Sequence, residues 1–327
     1  MSKAGETVLV SGMKPTGRVH LGNYFGALKQ ISELQERYEA TFFIADFHAL
    51  TTVKDPKELR KLSRELALDI LGADIDPAKV ILYRQSNVPE VAELSWVFNC
   101  LMNVSYLMRA HAYKDAQAKG AEVNAGTFGY PMLMAADILI HRAHVVPVGE
   151  DQRQHVEYAR DTAERFNATY GEIFPLPKPI IQESVSTIPG TDGRKMSKSY
   201  GNTISLFADQ ETIRKAVMGI PTDSKGVDEP KDPDACSVFK LHSFVATEKE
   251  LAELRARYER GGIGYKEAKD LLVDSLDRFL TPFRERRASY EKDGSGSDDI
   301  FRAGGEKIRR RAQDTMNAVR TAIGLSA

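Results

Sequence analysis

The segment at positions 193–199, GRKMSKS, places three cations and two hydroxyl groups within seven residues. It follows the turn-forming run PGTDG, so the sequence predicts a loop at this point. A solvated basic loop would have this composition, and so would a mobile loop that closes on an anionic ligand. In the second case, Lys195 and Lys198 would carry the charges that meet the anion.

A second segment suited to an anion lies between the first predicted strand and the helix that follows it, SGMKPTGRVHLGN at 11–23. Ligands of open parallel sheets bind beyond the carboxyl ends of the strands, where helix N-termini offer free N–H groups. The three glycines of the segment would let a ligand approach the backbone, and His20 and Asn23 would lie on one face of the first helical turn. The spacing is neither GxGxxG nor GxxxxGK[ST], so a tight structural turn and a phosphate site both remain open.

The composition sets bounds on the class of protein. The chain has 327 residues, of which 42% are hydrophobic and 28% charged, as expected of a globular protein with about two domains. The formal net charge is −1, so any nucleic-acid surface must be a local patch. Cys100 and Cys236 show no CxxC spacing, which argues against a disulfide framework or a cysteine-rich zinc site and fits a reducing cytoplasm.

The sequence also lacks the apolar segments that direct a chain to membranes. The opening MSKAGETVLV has no long apolar core of the signal-peptide type, and no run of about 18 apolar residues predicts a membrane span.

Strand-like runs alternate with helical patterns over the first 185 residues. The predicted strands are 7–11, 40–46, 79–83 and 144–149. The predicted helices are one over 21–34, one starting at Asp55-Pro56, and others across 90–119, 128–142 and 151–166. This alternation predicts the α/β fold class, with a Rossmann-like, doubly wound parallel sheet that is covered on both faces.

The strand signals end near residue 203. Helical patterns then cover 207–219, 237–260, 265–289 and 298–323, and the polar runs 221–237 and 291–299 predict a loop and a linker. We therefore expect a Rossmann-like domain over 1–203 and an all-helical domain over 204–299. The last helix, about 300–327, is expected to pack back on the first domain.

Two short motifs carry a resemblance to a known family. HLGN at positions 20–23 resembles the HIGH motif of class I aminoacyl-tRNA synthetases, and KMSKS at 195–199 is identical to their second motif. The runs PTGRVHLGNY, YPMLMAADIL and VPVGEDQRQH are similar to bacterial-type tryptophanyl-tRNA synthetases. The resemblance spans most of 8–202, continues more weakly through the helical part, and implies a sheet of the HUP type.

The resemblance implies a two-step reaction and a ligand for the basic loop. The carboxylate of L-tryptophan would attack the α-phosphate of ATP, giving tryptophanyl-adenylate and pyrophosphate. The acyl group would then move to the terminal adenosine of tRNA(Trp). The anion that meets the basic loop would be the triphosphate of ATP, with Mg²⁺ held by the phosphates and no metal ligand from the protein.

Roles for individual residues follow from the same resemblance. The implied catalytic set is His20, Asn23, Lys195, Lys198 and, more weakly, Lys114, for which a solvated helix lysine is the alternative. The implied ATP-binding set is Lys14, Pro15, Thr16, Gly22, Asn23, Gly149, Glu150, Asp151, Ile188, Lys195, Met196, Ser197 and Lys198. VGEDQ at 148–152 would also serve as an ordinary helix N-terminus.

Asp137 lies within an apolar helical run, YPMLMAADILIH. A buried carboxylate needs a partner, which would be an arginine, a neighbouring helix end, or the indole N–H of tryptophan, a donor-only group. The tryptophan-binding set implied by the resemblance is Asp137, Met134, Tyr130, His48, Val146, Val148 and Gln152. Met134 as a core residue and His48 as a structural histidine remain alternatives. Val10 and Lys14 depart from residues that are common in the family.

The last segment, 301–327, carries six cations against two acids. The cations are Arg302, Lys307, Arg309, Arg310, Arg311 and Arg320, and the acids are Glu306 and Asp314. This is either a solvated helix face or a surface for RNA phosphates. By family analogy, the helical region reads the anticodon.

The resemblance also implies a homodimer and a cytoplasmic location, with neither a membrane nor DNA as a partner. Helical segments within 85–125 would form the dimer contact, with Trp96, Phe98 and Leu101 as apolar candidates or as plain core. Three other functions compete with the main hypothesis. They are a tyrosyl-tRNA synthetase of the same architecture, a small nucleotidyltransferase with an HxGH site, and a catalytically silent relative that binds RNA or protein.

Overall fold

The structure, a computed structural model, describes residues 7–110, 113–114, 117, 123–149, 152–181 and 188–325. Five parallel strands form one sheet in the order β3-β2-β1-β4-β5. They are β1 Val8–Met13, β2 Glu39–Ile44, β3 Val80–Arg84, β4 Val145–Val148 and β5 Lys178–Ile181. The predicted fold class is confirmed, and four of the strands lie where the sequence predicts them. The fifth, KPII, is a short edge strand with a proline, and sequence analysis missed it.

The direction of winding reverses at β1. The chain runs outward from β1 through β2 to β3, then returns to place β4 on the other side of β1, with β5 outside it. Such a switch point leaves a crevice beyond the carboxyl ends of the two central strands, because the loops that leave them turn in opposite directions.

Within the described residues, helices cover both faces of the sheet and are the main elements after residue 203. In chain order they are α1 Leu21–Asn23, α2 Lys29–Leu34, α3 Asp46–Ala49, α4 Pro56–Gly72, α5 Glu90–Leu101, α6 Val104–Leu107, α7 Ala125–Leu139, α8 Arg153–Tyr170, α9 Gln210–Met218, α10 Ser237–His242, α11 Glu248–Arg260, α12 Tyr265–Lys292 and α13 Gly296–Ile323. A π-helical turn, Tyr24–Leu28, joins α1 to α2, and 3-10 turns cover Gln85–Asn87 and Lys198–Tyr200.

Two predictions for the helical part, one of a helix and one of a linker, differ from the structure. The predicted helix over 237–260 is two helices, α10 and α11, because Thr247 begins a new one by accepting a hydrogen bond from the Glu250 N–H. The predicted linker over 291–299 is only a short turn between α12 and α13, which end and begin at Lys292 and Gly296.

The alternation of side chains along the strands divides the interior into two cores. Leu9 and Phe42 point to one face of the sheet, and Val10 and Phe43 point to the other. The first core continues without a break into the helical part, where it includes Leu276. Hydrophobic packing therefore joins the α/β part to the helices that follow residue 203.

Helix α13 packs against the edge strand β3. Gly304 permits this approach, since a Cβ atom there would lie 1.9 Å from the carbonyl oxygen of Leu82. At the end of the same strand, the Arg84 guanidinium lies over the Phe301 ring and pairs with Asp298. The last helix thereby covers an edge that would otherwise expose unpaired backbone groups.

Candidate active site

A cavity of about 1220 Å³ opens at the switch point of the sheet. Ligand pockets usually enclose about 300–1,000 Å³, so this one has room for more than one small molecule. Sixteen of the predicted site residues line it: Lys14, His20, Gly22, Asn23, His48, Tyr130, Met134, Asp137, Val146, Val148, Gly149, Gln152, Ile188, Lys195, Met196 and Ser197. The structure therefore brings both predicted binding sets to one place.

The two segments that the sequence predicts to bind an anion meet at this cavity. The Lys198 ammonium donates a hydrogen bond of 2.8 Å to the carbonyl oxygen of Gly17, a residue 181 positions earlier. The backbone fixes the junction: the Leu21 N–H donates to the carbonyl oxygen of Ile204 at 3.0 Å, and the Leu206 N–H donates to that of Val19 at 3.0 Å. The start of α1 and the chain after the basic loop are thus bonded to each other.

His20 is buried at this junction and uncharged near neutral pH. Its ring Nδ1 has no hydrogen-bond partner among the described residues, and its backbone N–H donates to Asn23 Oδ1 at 3.3 Å. Burial lowers the pKa of His20 to about 4, and the charge of Lys198 adds to the shift. Since the side-chain oxygen of Asn23 is engaged, its amide nitrogen is the group left to donate to a ligand.

An asparagine that sequence analysis missed organises the basic loop. Asn202 is buried; its Oδ1 accepts from the Ser197 N–H at 2.8 Å and its Nδ2 donates to the carbonyl oxygen of Lys195 at 3.1 Å. Met196 is also buried and anchors the loop, whereas Lys195 is exposed. The loop is therefore held at its backbone while the Lys195 cation stays free to reach a ligand.

Asp137 lies fully buried in the cavity wall on α7. Its Oδ2 lies 2.8 Å from His48 Nε2, and its Oδ1 accepts a 2.6 Å hydrogen bond from Gln85 Nε2. Neither an arginine nor a neighbouring helix end is the partner. Burial raises the pKa of Asp137, and the bonds from His48 and Gln85 oppose that shift. Gln85 follows β3 and was not predicted, because nothing in QSNVP distinguishes it from an ordinary turn residue.

Apolar and aromatic side chains surround this carboxylate. The rings of His48 and Tyr130 meet edge to face with centroids 4.5 Å apart. Val146 and Val148 alternate along β4 and line the same cavity, as does Met134, one turn before Asp137 on α7. A flat apolar group with one polar edge fits such surroundings, since Asp137 is the only fully buried acid among the described residues of the lining.

Lys14 joins the two sides of the cavity. Its ammonium donates to Thr51 Oγ1 at 2.9 Å, and that hydroxyl donates to the carbonyl oxygen of His48 at 2.8 Å. Burial lowers the pKa of Lys14. This residue, which departs from the family pattern, is thus tied to the loop that carries His48.

Several predicted residues do not line the cavity. Pro15 is buried, Thr16 is exposed, and Lys198 lies beside the cavity on Gly17. Lys114 is exposed to solvent. Glu150 and Asp151 lie outside the described residues.

The described residues contain neither a metal-binding cluster nor a membrane-spanning helix. No group of three or more His, Cys, Asp or Glu side chains there could hold a metal ion. None of the helices in that part of the chain combines the length and apolarity that crossing a bilayer requires.

The basic face predicted on the last helix is partly used within the chain. Arg309 pairs with Glu90 at 2.9 Å, Arg311 pairs with Glu39, and Arg320 pairs with Glu93. These arginines hold α13 to the α/β part, so fewer cations remain for an RNA than the sequence suggested.

Comparisons with known proteins agree with this geometry. Residues 2–281 match the family described as tRNA synthetases class I (W and Y). The tryptophan–tRNA ligase of Rhodopirellula baltica is 44% identical over 317 residues, covering 97% of this chain and 99% of that protein. The corresponding ligase of Fusobacterium nucleatum is 42% identical over 317 residues, with 97% of each chain covered.

A solved structure has the same fold throughout. It is tryptophanyl-tRNA synthetase from Campylobacter jejuni complexed with ADP and tryptophan, with a TM-score of 0.92 and 41% identity. The match covers 98% of this chain and 100% of that one. The matched sequence, the common fold and the convergence of HLGN with KMSKS lead to one conclusion: the chain belongs to the class I tRNA synthetases of the tryptophan and tyrosine group.

Proposed function

We propose that this chain is a tryptophan–tRNA ligase, which activates L-tryptophan with ATP and transfers it to tRNA(Trp). The observation that carries the proposal is one cavity in which the HLGN and KMSKS segments meet near a buried carboxylate. Full-length relatives that are named tryptophan–tRNA ligases, and a relative complexed with ADP and tryptophan, support it.

In the first step, the tryptophan carboxylate attacks the α-phosphate of ATP and pyrophosphate leaves. No covalent enzyme nucleophile is needed, because positioning and charge neutralisation lower the barrier. The N–H of neutral His20 and the amide of Asn23 donate to phosphate oxygens at the start of α1. Lys195 and Lys198 follow the negative charge onto the departing pyrophosphate, which requires Lys198 to leave the carbonyl of Gly17.

In the second step, the 2′-hydroxyl of the terminal adenosine attacks the acyl carbon, and AMP leaves. The remaining nucleotide contacts are assigned to Lys14, Pro15, Thr16, Gly22, Gly149, Glu150, Asp151, Ile188, Met196 and Ser197. Lys114, which is exposed, is retained as a weaker phosphate contact. Mg²⁺ would be held by the phosphate oxygens of ATP, since the described residues of the cavity lining offer cations and one buried carboxylate rather than a set of oxygen ligands.

The amino-acid end of the cavity selects tryptophan through one acceptor. Asp137 accepts the indole N–H, and Tyr130, Met134, Val146 and Val148 surround the ring. Gln152 holds the ammonium or carboxylate end, and His48 is a further contact to the amino acid. A site that accepts a hydrogen bond from one polar group of its substrate rejects analogues that lack this group, since the acceptor in the site would then stay unpaired.

For tRNA, we assign the α/β part, 1–203, to catalysis and the helical part, 204–299, to the anticodon. Arg309, Arg311 and Arg320 pair with glutamates of the α/β part. We therefore assign the contacts with tRNA phosphates to other cations. Affinity for tRNA should still fall as salt rises, because phosphate contacts release counterions.

We further propose a homodimer in the cytoplasm. On α5 and the α6 region, Trp96, Val104 and Met108 are 70%, 60% and 47% exposed, which is unusual for a solvated face. Phe98, an earlier candidate for this contact, is instead fully buried against Phe166 and Phe174. Light scattering of Trp96→Glu should show a monomer if this face is the dimer contact, and fractionation of cells should place the protein in the cytosol.

The decisive experiment is ATP–pyrophosphate exchange with tryptophan and with tyrosine. Tryptophan should support exchange with a kcat/KM at least about a hundredfold above that of tyrosine. Exchange with tyrosine alone would transfer the assignment to the tyrosine branch of the family. Exchange with neither amino acid would identify a silent relative.

A further inference from the structure

Gln85 is a fully buried amide whose two ends are both fixed. Its Oε1 accepts from the Phe47 N–H at 3.0 Å, and its Nε2 donates to Asp137 Oδ1 at 2.6 Å. The Phe47 N–H also reaches Asp46 Oδ1 at 3.1 Å, so the donor is shared. A backbone N–H can only donate, and the amide oxygen must face it. The amide nitrogen therefore has to face Asp137.

This orientation of the Gln85 amide restricts the protonation state of Asp137. The Gln85 N–H can only donate, so Oδ1 of Asp137 must accept. His48 Nε2 occupies the other oxygen at 2.8 Å. A carboxylate has about four lone-pair positions, so two of them remain and a third donor can be accepted. A protonated Asp137 would instead present an O–H of its own and would no longer be a pure acceptor.

The surroundings push Asp137 toward the protonated form. It is fully buried, the charge of Asp46 also raises its pKa, and the phenols of Tyr83 and Tyr130 lie close enough for its charge to raise their pKa values. His48 and Gln85 are the two groups that favour the ionised form. The glutamine amide carries no titratable proton, so its donor is present at every pH.

We propose that Gln85 is a positioning residue that keeps Asp137 an ionised acceptor and sets the direction of its free lone pairs. Gln85 thereby determines the preference for an amino acid whose side chain carries an N–H donor, without touching that amino acid. The inference rests on the proposed function, because it assumes that Asp137 accepts from the indole.

Two substitutions test this role with opposite chemistry. Gln85→Met removes both hydrogen bonds at similar size, so the KM for tryptophan should rise about tenfold while the KM for ATP stays within about twofold. Gln85→Glu places a second carboxyl beside Asp137. While that carboxyl holds a proton, it donates to Asp137 much as the amide does, and tryptophan binding should be nearly normal.

The pH dependence of Gln85→Glu gives the sharper result. Two adjacent carboxyls titrate as a pair, and the pKa for loss of their shared proton is raised well above the ordinary range. Above that apparent pKa, the KM for tryptophan should rise by up to about tenfold per pH unit between about pH 6 and pH 9. The unsubstituted protein should show no such rise. A residue with only a structural role would not create a new titration in this one constant.

Gln35 offers a matched control. Its amide is also held at both ends, accepting from the Asp76 N–H at 3.0 Å and donating to the carbonyl oxygen of Asp74 at 3.4 Å, and it lies outside the cavity lining. Gln35→Glu should leave the KM for tryptophan and its pH dependence unchanged.

Three outcomes would overturn the inference. They are a Gln85→Glu variant whose KM for tryptophan is independent of pH, a Gln85→Met variant that raises both KM values equally, and failure of both variants to fold at about pH 6. If the unsubstituted protein does not activate tryptophan, the proposed function itself is wrong. If the unsubstituted protein does activate tryptophan and the Gln85 variants have the same KM values as it does, only the proposed role of Gln85 is wrong.

Discussion

The ammonium of Lys198 lies 2.8 Å from the carbonyl oxygen of Gly17, so the basic loop is bonded to the loop after β1. Lys198 is half-buried, and burial lowers its pKa while the charge of Asp69 opposes that shift. A backbone carbonyl is a weaker partner for an ammonium than a phosphate, because the phosphate oxygens carry negative charge. The bond to Gly17 therefore holds the Lys198 ammonium close to the position at which it would bind a triphosphate.

Removing Lys198 should reduce the rate of activation and spare amino-acid binding. Lys198→Met should lower kcat for ATP–pyrophosphate exchange about 100- to 1,000-fold, because a donor aimed at developing charge is lost. Tryptophan affinity, measured by calorimetry without ATP, should change little. Lys215→Met, an exposed lysine on α9, should leave exchange unaltered. Exchange at the normal rate by Lys198→Met would remove Lys198 from the mechanism.

Loss of the buried acceptor should affect one substrate more than the other. Asp137→Ala should raise the KM for tryptophan about 10- to 100-fold, and the KM for ATP far less, because a hydrogen bond to a charged group is lost. Steady-state exchange with each substrate varied in turn measures both constants. Asp55→Ala controls for general destabilisation, since it removes only the N-cap of α4. Equal changes in both KM values for Asp137→Ala would indicate a structural carboxylate.

His20 should stay neutral across the physiological range. Its pKa is about 4 in the folded chain, against an ordinary value of 6.5, because the ring is buried and Lys198 is near. The unfolded chain therefore binds a proton first on acidification, so this group lowers the free energy of unfolding as pH falls from about 6.5 toward about 4. NMR of labelled histidines should show no His20 titration above about pH 5.5.

The same experiment on Lys198→Met separates the two causes of that shift. The pKa of His20 should rise when the neighbouring charge is removed, and should stay below its ordinary value because burial is the larger cause. A His20 that titrates near pH 6.5 in the unsubstituted protein would show that the ring is solvated.

A buried ion pair should join the helical part to the loop before α1. Asp69 accepts from the Val19 N–H at 2.9 Å through Oδ2 and from Arg287 Nε at 2.8 Å through Oδ1. Arg287→Met leaves the buried carboxylate short of a partner, and should cost about 3–5 kcal/mol of unfolding free energy. Arg18, half-exposed beside the same carboxylate, offers the comparison: Arg18→Met should cost about 1 kcal/mol or less. Urea denaturation measures both, and equal costs would contradict a dominant role for the buried pair.

Sequence patterns predicted the sheet well where burial is strong. The strands β1 to β4 are apolar runs between turn signals, and hydrophobic periodicity identifies such runs because both faces of the sheet are covered. β5 escaped detection because KPII is short, lies at the edge and is only partly buried. The linker at 291–299 was predicted too long because Gly296 and Ser297 lie within the first turn of α13, where helix packing overrides propensity.

By itself, the sequence determined the fold class, the two signature segments and the buried acid on α7. Each of these depends on local patterns: residue type, spacing and the polarity of neighbours. Only the tertiary structure decided which groups meet, since hydrogen bonds such as Gln85 to Asp137 or Lys198 to Gly17 join positions that are 52 and 181 residues apart. Gln85 and Asn202 act through both ends of an amide, and no local pattern marks such a residue, because its partners are backbone and side-chain groups that the fold alone brings within reach.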